Sequence, residues 1–326
     1  MNIENLLIGE DDFEIKMENV VVPWAKDNVR DTYFTASDGA RLHYHFAIPE
    51  DPKAVIVMVH GFCEFYPKYH EMSYYYYQMG YAFFFLEQRG HGFSRRYVEE
   101  MDKVTVDSYD SYVQDLKEFI TFVIDREESV KRLKKILFAH SMGGAVSSLY
   151  LIKNPNTFDA AILSSPMIKM SIGNHSEFSV RMLMALSVIL RWNEKFVPGQ
   201  SGFTGVEDFE NSSTLSPKRF HYIFTQRVNH KQYQTWGGTY AWTRASIKAT
   251  DYLDKNLEKI KTPVLLFEAG RDNKVEASGI QALRNRGKNV QYEYFSESKH
   301  EIFNSTDKDR ERYYKILFDF IEKQLI

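Results

Sequence analysis

The feature that most constrains this chain is a predicted sharp turn from strand to helix with one serine at its apex. An apolar run over residues 136–139 leads into His140-Ser141-Met142-Gly143-Gly144, and a helix-compatible segment follows at once. Small residues are needed there because the apical residue adopts a strained backbone conformation in which bulky neighbours would collide. The hydroxyl is then exposed above a helix N-terminus, which favours developing negative charge.

The pattern predicts that Ser141 is a nucleophile, with a Ser- and Gly-rich loop of an ordinary α/β protein as the alternative. Ala139 stands where the G-x-S-x-G motif has its first glycine, a small-for-small change that we expect to be harmless.

Composition excludes several classes of protein. The 326 residues are 44% hydrophobic and 26% charged, which is enough for a sizeable core and argues against disorder. The net charge of −3 is made of interspersed acidic and basic residues, so no nucleic-acid partner is predicted. Cys63 is the single cysteine, which rules out an internal disulfide.

The first residues lack the basic and apolar regions of a signal peptide, and no stretch reaches the roughly 20 apolar residues of a membrane span. The sequence therefore predicts a cytoplasmic protein.

Hydrophobic patterning predicts strands that alternate with helices. Residues 31–47 have the alternation of an antiparallel hairpin, turning at Ser37-Asp38-Gly39. Apolar runs typical of strands buried on both faces follow at 54–59 and 81–86, and further strands are predicted at 135–139, 160–164, 264–269 and 290–295. This order predicts an α/β fold with a mostly parallel central sheet flanked by helices.

The alternation stops between residues 167 and 245. A structureless loop of this length is uncommon inside a compact domain, so an inserted helical lid is predicted. The predicted organisation is an N-terminal extension over 1–30, a core formed by 31–166 and 246–326, and the lid over 167–245. The lid contains an apolar helix, residues 178–192, which we expect to be packed inside the lid or against an acyl pocket. Contact with a membrane surface is the alternative.

A serine nucleophile needs a base, and the base needs an orienting acid. His300 lies just past the last predicted strand, and Asp272 lies just past the strand before it. The carboxyl ends of parallel strands share one edge of the sheet, so Ser141, Asp272 and His300 are expected to meet there. Their chain order, Ser-Asp-His, is that of α/β-hydrolases. A solvated loop histidine and a turn aspartate are the alternatives, and Glu268 is a second candidate for the acid.

A tetrahedral intermediate also needs donors for its oxyanion. The N–H of Met142, directly after the nucleophile, and that of Phe62, in the loop after an early strand, are the predicted pair. His60 and His91 are interpreted as structural hydrogen-bonding residues, and His140 is expected to point away from the serine.

Together, these motifs resemble the monoacylglycerol lipase and lysophospholipase branch of the α/β-hydrolases. The motifs are His60-Gly61-x-x-Glu64, Gln88-Arg89-Gly90-His91-Gly92-x-Ser94, His140-Ser141-Met142-Gly143-Gly144, Asp272 and His300-Glu301, and the resemblance runs from about residue 31 to the C-terminus. Trp236-Gly237-Gly238-Thr239-Tyr240 resembles bacterial lysophospholipases more closely. Cys63 departs from the branch, which often has glycine at this position.

The resemblance implies a serine hydrolase of esters with one long acyl chain, acting on a small lipid substrate without metal or cofactor. It assigns Ser141 as nucleophile, His300 as base, Asp272 as its orienting acid, and Phe62 and Met142 as the oxyanion hole. A short-chain carboxylesterase and a serine aminopeptidase of the same fold are alternatives, because fold does not determine substrate. A non-catalytic binding protein is the alternative from another class. Nothing in the sequence sets an oligomeric state.

Overall fold

The fold is built on one large sheet whose first hairpin is antiparallel and whose other strands run parallel. The computed structural model describes residues 3–326. Its strands are β1 (Arg30–Thr35), β2 (Arg41–Ala47), β3 (Val55–Val59), β4 (Ala82–Leu86), β5 (Lys103–Val104), β6 (Lys135–His140), β7 (Ala160–Ser164), β8 (Gly237–Gly238), β9 (Val264–Ala269) and β10 (Val290–Phe295). The large sheet has the order β1-β2-β4-β3-β6-β7-β9-β10, and β5 pairs with β8.

The expected hairpin is confirmed. β1 pairs antiparallel with β2, from Arg30 opposite Phe46 to Thr35 opposite Arg41. β2 also pairs antiparallel with β4, while β4, β3, β6, β7, β9 and β10 pair parallel with their neighbours. Gly39, in the hairpin turn, has a φ of 81°, a conformation that residues with a side chain rarely adopt.

The central strands are buried on both faces, as their continuous apolar runs predict. Every residue of β3 is buried, and its alternate side chains enter two separate apolar clusters. Val55, Val57 and Val59 lie in one cluster, and Ile56 and Met58 lie in the other. Burying each such side chain contributes about 1.5–3 kcal/mol, so this pattern stabilises a sheet only when helices cover both of its faces.

The α-helices, with two exceptions, cover the sheet on both faces. The α-helices are α1 (Phe13–Lys16), α2 (Val22–Asn28), α3 (His70–Gln78), α4 (Tyr109–Phe122), α5 (Met142–Lys153), α6 (Glu177–Ile189), α7 (Pro217–Asn229), α8 (Tyr240–Asp254), α9 (Ala277–Arg286) and α10 (Asp307–Leu325). The two exceptions are α6 and α7. Side chains of α4, α5, α8 and α9 enter the first cluster, and those of α1, α2, α3 and α10 enter the second. The predicted α/β class is thereby confirmed.

The strand order reverses beside β3, and this reversal positions the site. β4, the next strand along the chain, lies on one side of β3, whereas β6 lies on the other. Such a reversal opens a crevice at the carboxyl ends of the strands. The segment after β3 carries Phe62 and the turn after β6 carries Ser141, so both residues are brought to this crevice.

Residues 167–245, named here the inserted segment, contain α6, α7 and the start of α8. Helix α8 continues without interruption across the expected boundary between residues 245 and 246. The inserted segment is attached to the rest of the chain by the β5–β8 pair and by a bridge between Met170 and Val275.

Helix α6 differs from its expected position. The prediction that it packs inside the lid or lines an acyl pocket is wrong, because Met184 and Ser187 are its only buried residues. A continuous apolar face is open to solvent, with Phe178 73% and Ile189 78% exposed. One side of the helix contacts α8, and its apolar face stays exposed among residues 3–326. Within residues 3–326, no helix combines the length and apolar composition needed to cross a bilayer.

The N-terminal segment is packed against the helical layer formed by α3 and α10. Residues 1 and 2 of the predicted extension lie outside the described residues. Phe13, Met17 and Trp24 enter the second core cluster. Beside them, the buried carboxylate of Glu71 accepts a hydrogen bond of 2.9 Å from Arg219 Nε and pairs with Arg310. This ion cluster joins α3, α7 and α10.

Candidate active site

Ser141 occupies the strained turn that its sequence predicts. It lies between β6 and α5 with φ 53° and ψ −120°, values that few residues with a side chain adopt. A Cβ atom at position 143 would lie 2.2 Å from the carbonyl oxygen of Val59, and one at position 144 would lie 2.3 Å from Cβ of Pro166. Glycine is therefore required at both positions for the turn to pack against the neighbouring strand ends.

His300 and Asp272 are brought together as expected. His300 Nδ1 lies 2.6 Å from Asp272 Oδ2, and both side chains are buried. The other oxygen, Oδ1, accepts the N–H of Lys274 at 2.8 Å and that of Val275 at 3.2 Å. Burial opposes the charged form of Asp272, but the charge and hydrogen bond of His300 outweigh it and hold the pKa of this carboxyl below its ordinary value. Because the carboxylate only accepts, Nδ1 of His300 carries a proton, and in the neutral ring the lone pair is then on Nε2.

Ser141 and His300 line the same cavity, together with Phe62. Met142 is the first residue of α5, so its N–H has no acceptor within the helix. Among residues 3–326, the N–H of Phe62 also donates to no protein acceptor. Both N–H groups are therefore free to donate to a substrate oxygen.

A buried cluster of charged residues holds the Phe62 loop, and sequence reasoning missed it. Glu64 Oε2 accepts the N–H of Gly61 and the hydroxyl of Tyr69, each at 2.5 Å. Lys68 Nζ lies 2.5 Å from Glu64 Oε1 and 2.7 Å from Glu301. The Glu64-x-x-x-Lys68 spacing, a favourable i,i+4 pair, was the signal that could have revealed part of it.

The Glu64 carboxylate is ionised in this cluster. Burial opposes its charge, but His140 and Lys68 outweigh that effect and hold its pKa well below the usual range. By fixing Gly61, Glu64 also orients the peptide of Phe62 directly after it.

The other histidines near Ser141 are structural, as interpreted from the sequence. The N–H of Gln88 donates to His60 Nε2 at 2.9 Å, so His60 Nδ1 donates to the carbonyl of Gly61 at 2.7 Å. His91 is fully buried beside the carbonyl of Arg89. His140 Nδ1 is held by Glu64 at 2.8 Å and its Nε2 faces the carbonyl of His300, so neither nitrogen is available to Ser141.

The cavity is large and has extensive apolar walls beside polar and charged residues, among them Asp208, Arg227 and Lys274. Its volume is about 590 Å³, within the range of about 300–1,000 Å³ that small-molecule sites occupy. Its apolar walls are Phe62, Met167, Met170, Val197, Val206, Phe220, Ile223, Phe224, Trp236, Trp242 and Val275. Most of these belong to the inserted segment, which therefore shapes the space above Ser141.

One group of side chains has the residue types of a metal site, but it lies outside this cavity. Ligand atoms of His43, His45 and Glu87 are within 4.8 Å of one another. They hydrogen-bond among themselves, with His43 Nδ1 3.0 Å from Glu87 Oε2 and His45 Nε2 3.4 Å from Glu87 Oε1. None of the three lines the cavity that holds Ser141.

Comparison with known proteins identifies the family. The model of the serine aminopeptidase S33 family matches residues 50–307, which is most of the chain. The chain belongs to the serine aminopeptidase S33 family. The elements that carry Phe62, Ser141, Asp272 and His300 all lie inside the matched region.

Relatives of this S33-family chain include ester hydrolases. It is 26% identical to the probable lysophospholipase L2 of Haemophilus influenzae, over 90% of this chain and 92% of that protein. It is 23% identical to the monoacylglycerol lipase of Mycolicibacterium smegmatis, over 84% of this chain and 91% of that protein. The expected branch is confirmed, and so is the expectation of an ester hydrolase.

Solved structures confirm the α/β-hydrolase fold of this S33-family chain. A soluble variant of the monoglyceride lipase of Saccharomyces cerevisiae superimposes with a TM-score of 0.70 at 18% identity, covering 90% of this chain and 94% of that one. A carboxyl esterase of Bacillus coagulans gives a TM-score of 0.73 at 15% identity, covering 92% and 99%.

Proposed function

We propose that this protein hydrolyses lipid esters with one long acyl chain, namely lysophospholipids or monoacylglycerols, through an acyl-enzyme formed on Ser141. The observation that carries the proposal is the apolar cavity of about 590 Å³ into which Ser141 and His300 both open. An acyl chain requires such walls, because burying each CH₂ group contributes about 0.8 kcal/mol. The names of the relatives, lysophospholipase and monoacylglycerol lipase, support the same substrates.

In the proposed mechanism, Ser141 Oγ attacks the ester carbonyl while His300 Nε2 takes its proton. The negative charge on the carbonyl oxygen is stabilised by the N–H groups of Phe62 and Met142. His300 then gives the proton to the leaving glycerol oxygen, and the acyl group stays on Ser141. Water, deprotonated by His300, releases the fatty acid and restores the serine. Asp272 holds Nδ1 of His300 and stabilises the imidazolium formed in both steps.

An aminopeptidase of the same fold is the second candidate, since the family carries that description. A peptide amine is a cation and needs a free carboxylate in the cavity. Three carboxylates line the cavity, those of Glu64, Glu301 and Asp208. Glu64 and Glu301 both bind Lys68, whereas Asp208 is exposed and, among the described residues, forms no ion pair and accepts hydrogen bonds only from Asn211. Asp208 is therefore the carboxylate that would bind the ammonium in a peptidase, while the apolar walls favour the ester substrate.

Hydrolysis of a matched series of substrates tests the acyl assignment. For p-nitrophenyl esters from C2 to C16, we expect kcat/KM to increase with chain length by about tenfold or more before it levels off, since each added CH₂ is buried in the cavity. Phe224→Ala, which enlarges the apolar wall, should weaken this preference and leave the C2 ester unaffected. Phe122→Ala, on α4 and outside the cavity, is the control.

An aminoacyl p-nitroanilide belongs in the same series. Turnover of this amide above that of all the esters would reject the lipid assignment in favour of the peptidase, while preference for the C2 ester would favour a short-chain esterase.

We also propose that the exposed apolar face of α6 contacts the lipid surface from which the substrate is taken. This face consists of Phe178, Met182, Leu186, Val188, Ile189 and Leu190, all exposed. Contiguous exposed apolar surface marks an interaction site, and a helix of this kind buries its apolar face in a membrane interface.

Vesicle assays test this contact. Ile189→Glu should reduce sedimentation with phospholipid vesicles and slow the hydrolysis of vesicle-embedded monoacylglycerol by about tenfold, the effect of placing a charge in the apolar face. Turnover of water-soluble p-nitrophenyl butyrate should stay unchanged. Phe122→Glu, an equally drastic change on α4, is the control. Equal losses on both substrates, or no loss of vesicle binding, would contradict the contact.

A further inference from the structure

Arg227 is a guanidinium in the cavity wall without a carboxylate partner. It lies in the last turn of α7, half-buried, and lines the cavity with Ser141. Its Nη2 donates to the carbonyl of Cys63 at 2.8 Å and its Nη1 to that of Thr235 at 3.3 Å. Within residues 3–326 it forms no ion pair. These two neutral acceptors leave other N–H donors of the guanidinium unused, since arginine has five.

The surroundings hold this charge in a defined place. The guanidinium carbon lies 5.1 Å from the ring centre of Phe65 and 5.0 Å from that of Trp236, so two aromatic faces fix it. The carboxylates of Glu301 and Glu64 act on it electrostatically, but both are hydrogen-bonded by Lys68. Removing a charge from water without a partner is costly, and a bound anion would offset that cost.

The position matches the head group of a lysophospholipid. Cys63, whose carbonyl Arg227 holds, directly follows Phe62, the proposed oxyanion donor. Arg227 and Ser141 line the same cavity, so one molecule can place an anion on Arg227 and an ester at Ser141, as a lysophospholipid carries its phosphate one glycerol unit from its ester. The planar fork of arginine matches two phosphate oxygens.

We propose that Arg227 forms a phosphodiester-binding subsite, which makes lysophospholipids the preferred substrates over monoacylglycerols. This inference rests on the proposed ester hydrolysis at Ser141. The subsite binds the phosphate, which monoacylglycerols lack. The apolar walls bind the acyl chain that both classes of lipid carry.

Kinetics with a matched pair of substrates test the subsite. Arg227→Gln should lower kcat/KM for 1-oleoyl-lysophosphatidylglycerol by about ten- to hundredfold, the loss typical of a hydrogen bond to a charged group. Turnover of 1-oleoylglycerol should change less than about twofold, since this substrate has no phosphate for Arg227 to bind. Arg284→Gln, on α9 and outside this cavity, should alter neither. Equal losses of kcat/KM on both substrates would show that Arg227 merely supports the Cys63 loop, and would overturn the subsite. No loss of kcat/KM on either substrate would overturn it as well.

A binding measurement separates this inference from the proposed function. In the Ser141→Ala background, quenching of tryptophan fluorescence reports ligand binding without turnover, because Trp236 and Trp242 line the cavity. Arg227→Gln should weaken binding of the lysophospholipid and not of 1-oleoylglycerol, whether or not either lipid is hydrolysed by the wild type. Inorganic phosphate that competes as strongly as glycerophosphoglycerol would indicate a free-phosphate site and overturn the head-group assignment.

Discussion

Ser141→Ala is expected to abolish ester hydrolysis while leaving the fold intact. Loss of the nucleophile removes the acyl-enzyme route, and the equivalent change in subtilisin lowers kcat by about 2 × 10⁶. The fold should survive because alanine has the same Cβ as serine and meets the same backbone strain at φ 53°. Initial rates on p-nitrophenyl octanoate, with circular dichroism and thermal unfolding, measure both parts.

The matched control is Ser148→Ala, in the helix that follows. Ser148 is fully buried, and its Oγ has no hydrogen-bond partner among the described residues, so removing it should cost little stability. Wild-type turnover by the Ser141→Ala protein would contradict the proposed mechanism. Loss of activity in both variants would point instead to disruption of α5.

Asp272→Asn is expected to lower kcat by about four orders of magnitude, the loss seen for the same change in a serine protease triad. The introduced asparagine can keep its side-chain oxygen on the N–H groups of Lys274 and Val275, which turns its amide NH₂ toward His300. Nδ1 must then accept, the ring proton moves to Nε2, and the base can no longer take the proton of Ser141. Pre-steady-state acylation by a p-nitrophenyl ester measures this step directly.

Glu268→Gln is the control for the acid, because Glu268 is the other carboxylate that the sequence suggests. Its oxygens face Tyr292 at 2.8 Å and Gln281 at 3.4 Å, and no contact among the described residues joins it to His300. We therefore expect the substitution to change kcat by less than about threefold, because the contacts it alters lie outside the site. A severe loss in Glu268→Gln together with a mild one in Asp272→Asn would move the acid role to Glu268.

The elements of the core could be predicted because their local and global preferences agree. β3, β4 and β7 are continuous apolar runs, and such runs are stable only between two helical layers. The turn at Ser141 was recognisable because a strained apex needs small neighbours, and these stand directly beside it in the sequence. The nearest atoms that exclude a side chain at Gly143 and Gly144 belong to Val59 and Pro166, which only the fold brings close. The positions of His300 and Asp272 could be predicted from the order of the strands, since the ends of parallel strands share one edge of the sheet.

The inserted segment could not be predicted in the same way. Helix α6 has the composition of a core helix, yet its apolar face is exposed. Its position could not be predicted because composition does not show which surface an apolar face contacts. Arg227 lies in no motif, and its contact with Cys63 joins residues 164 positions apart. Lys68 likewise meets Glu301 only through the fold.

Reaction with a long-chain alkyl fluorophosphonate, followed by intact-mass measurement and peptide mapping, tests the central claim most directly. The reagent modifies only a serine activated by its neighbours. We predict one adduct per chain, on the peptide that contains Ser141, and none on the Ser141→Ala protein. An adduct on a different residue, or equal labelling of the variant, would contradict the assignment of Ser141 as the nucleophile.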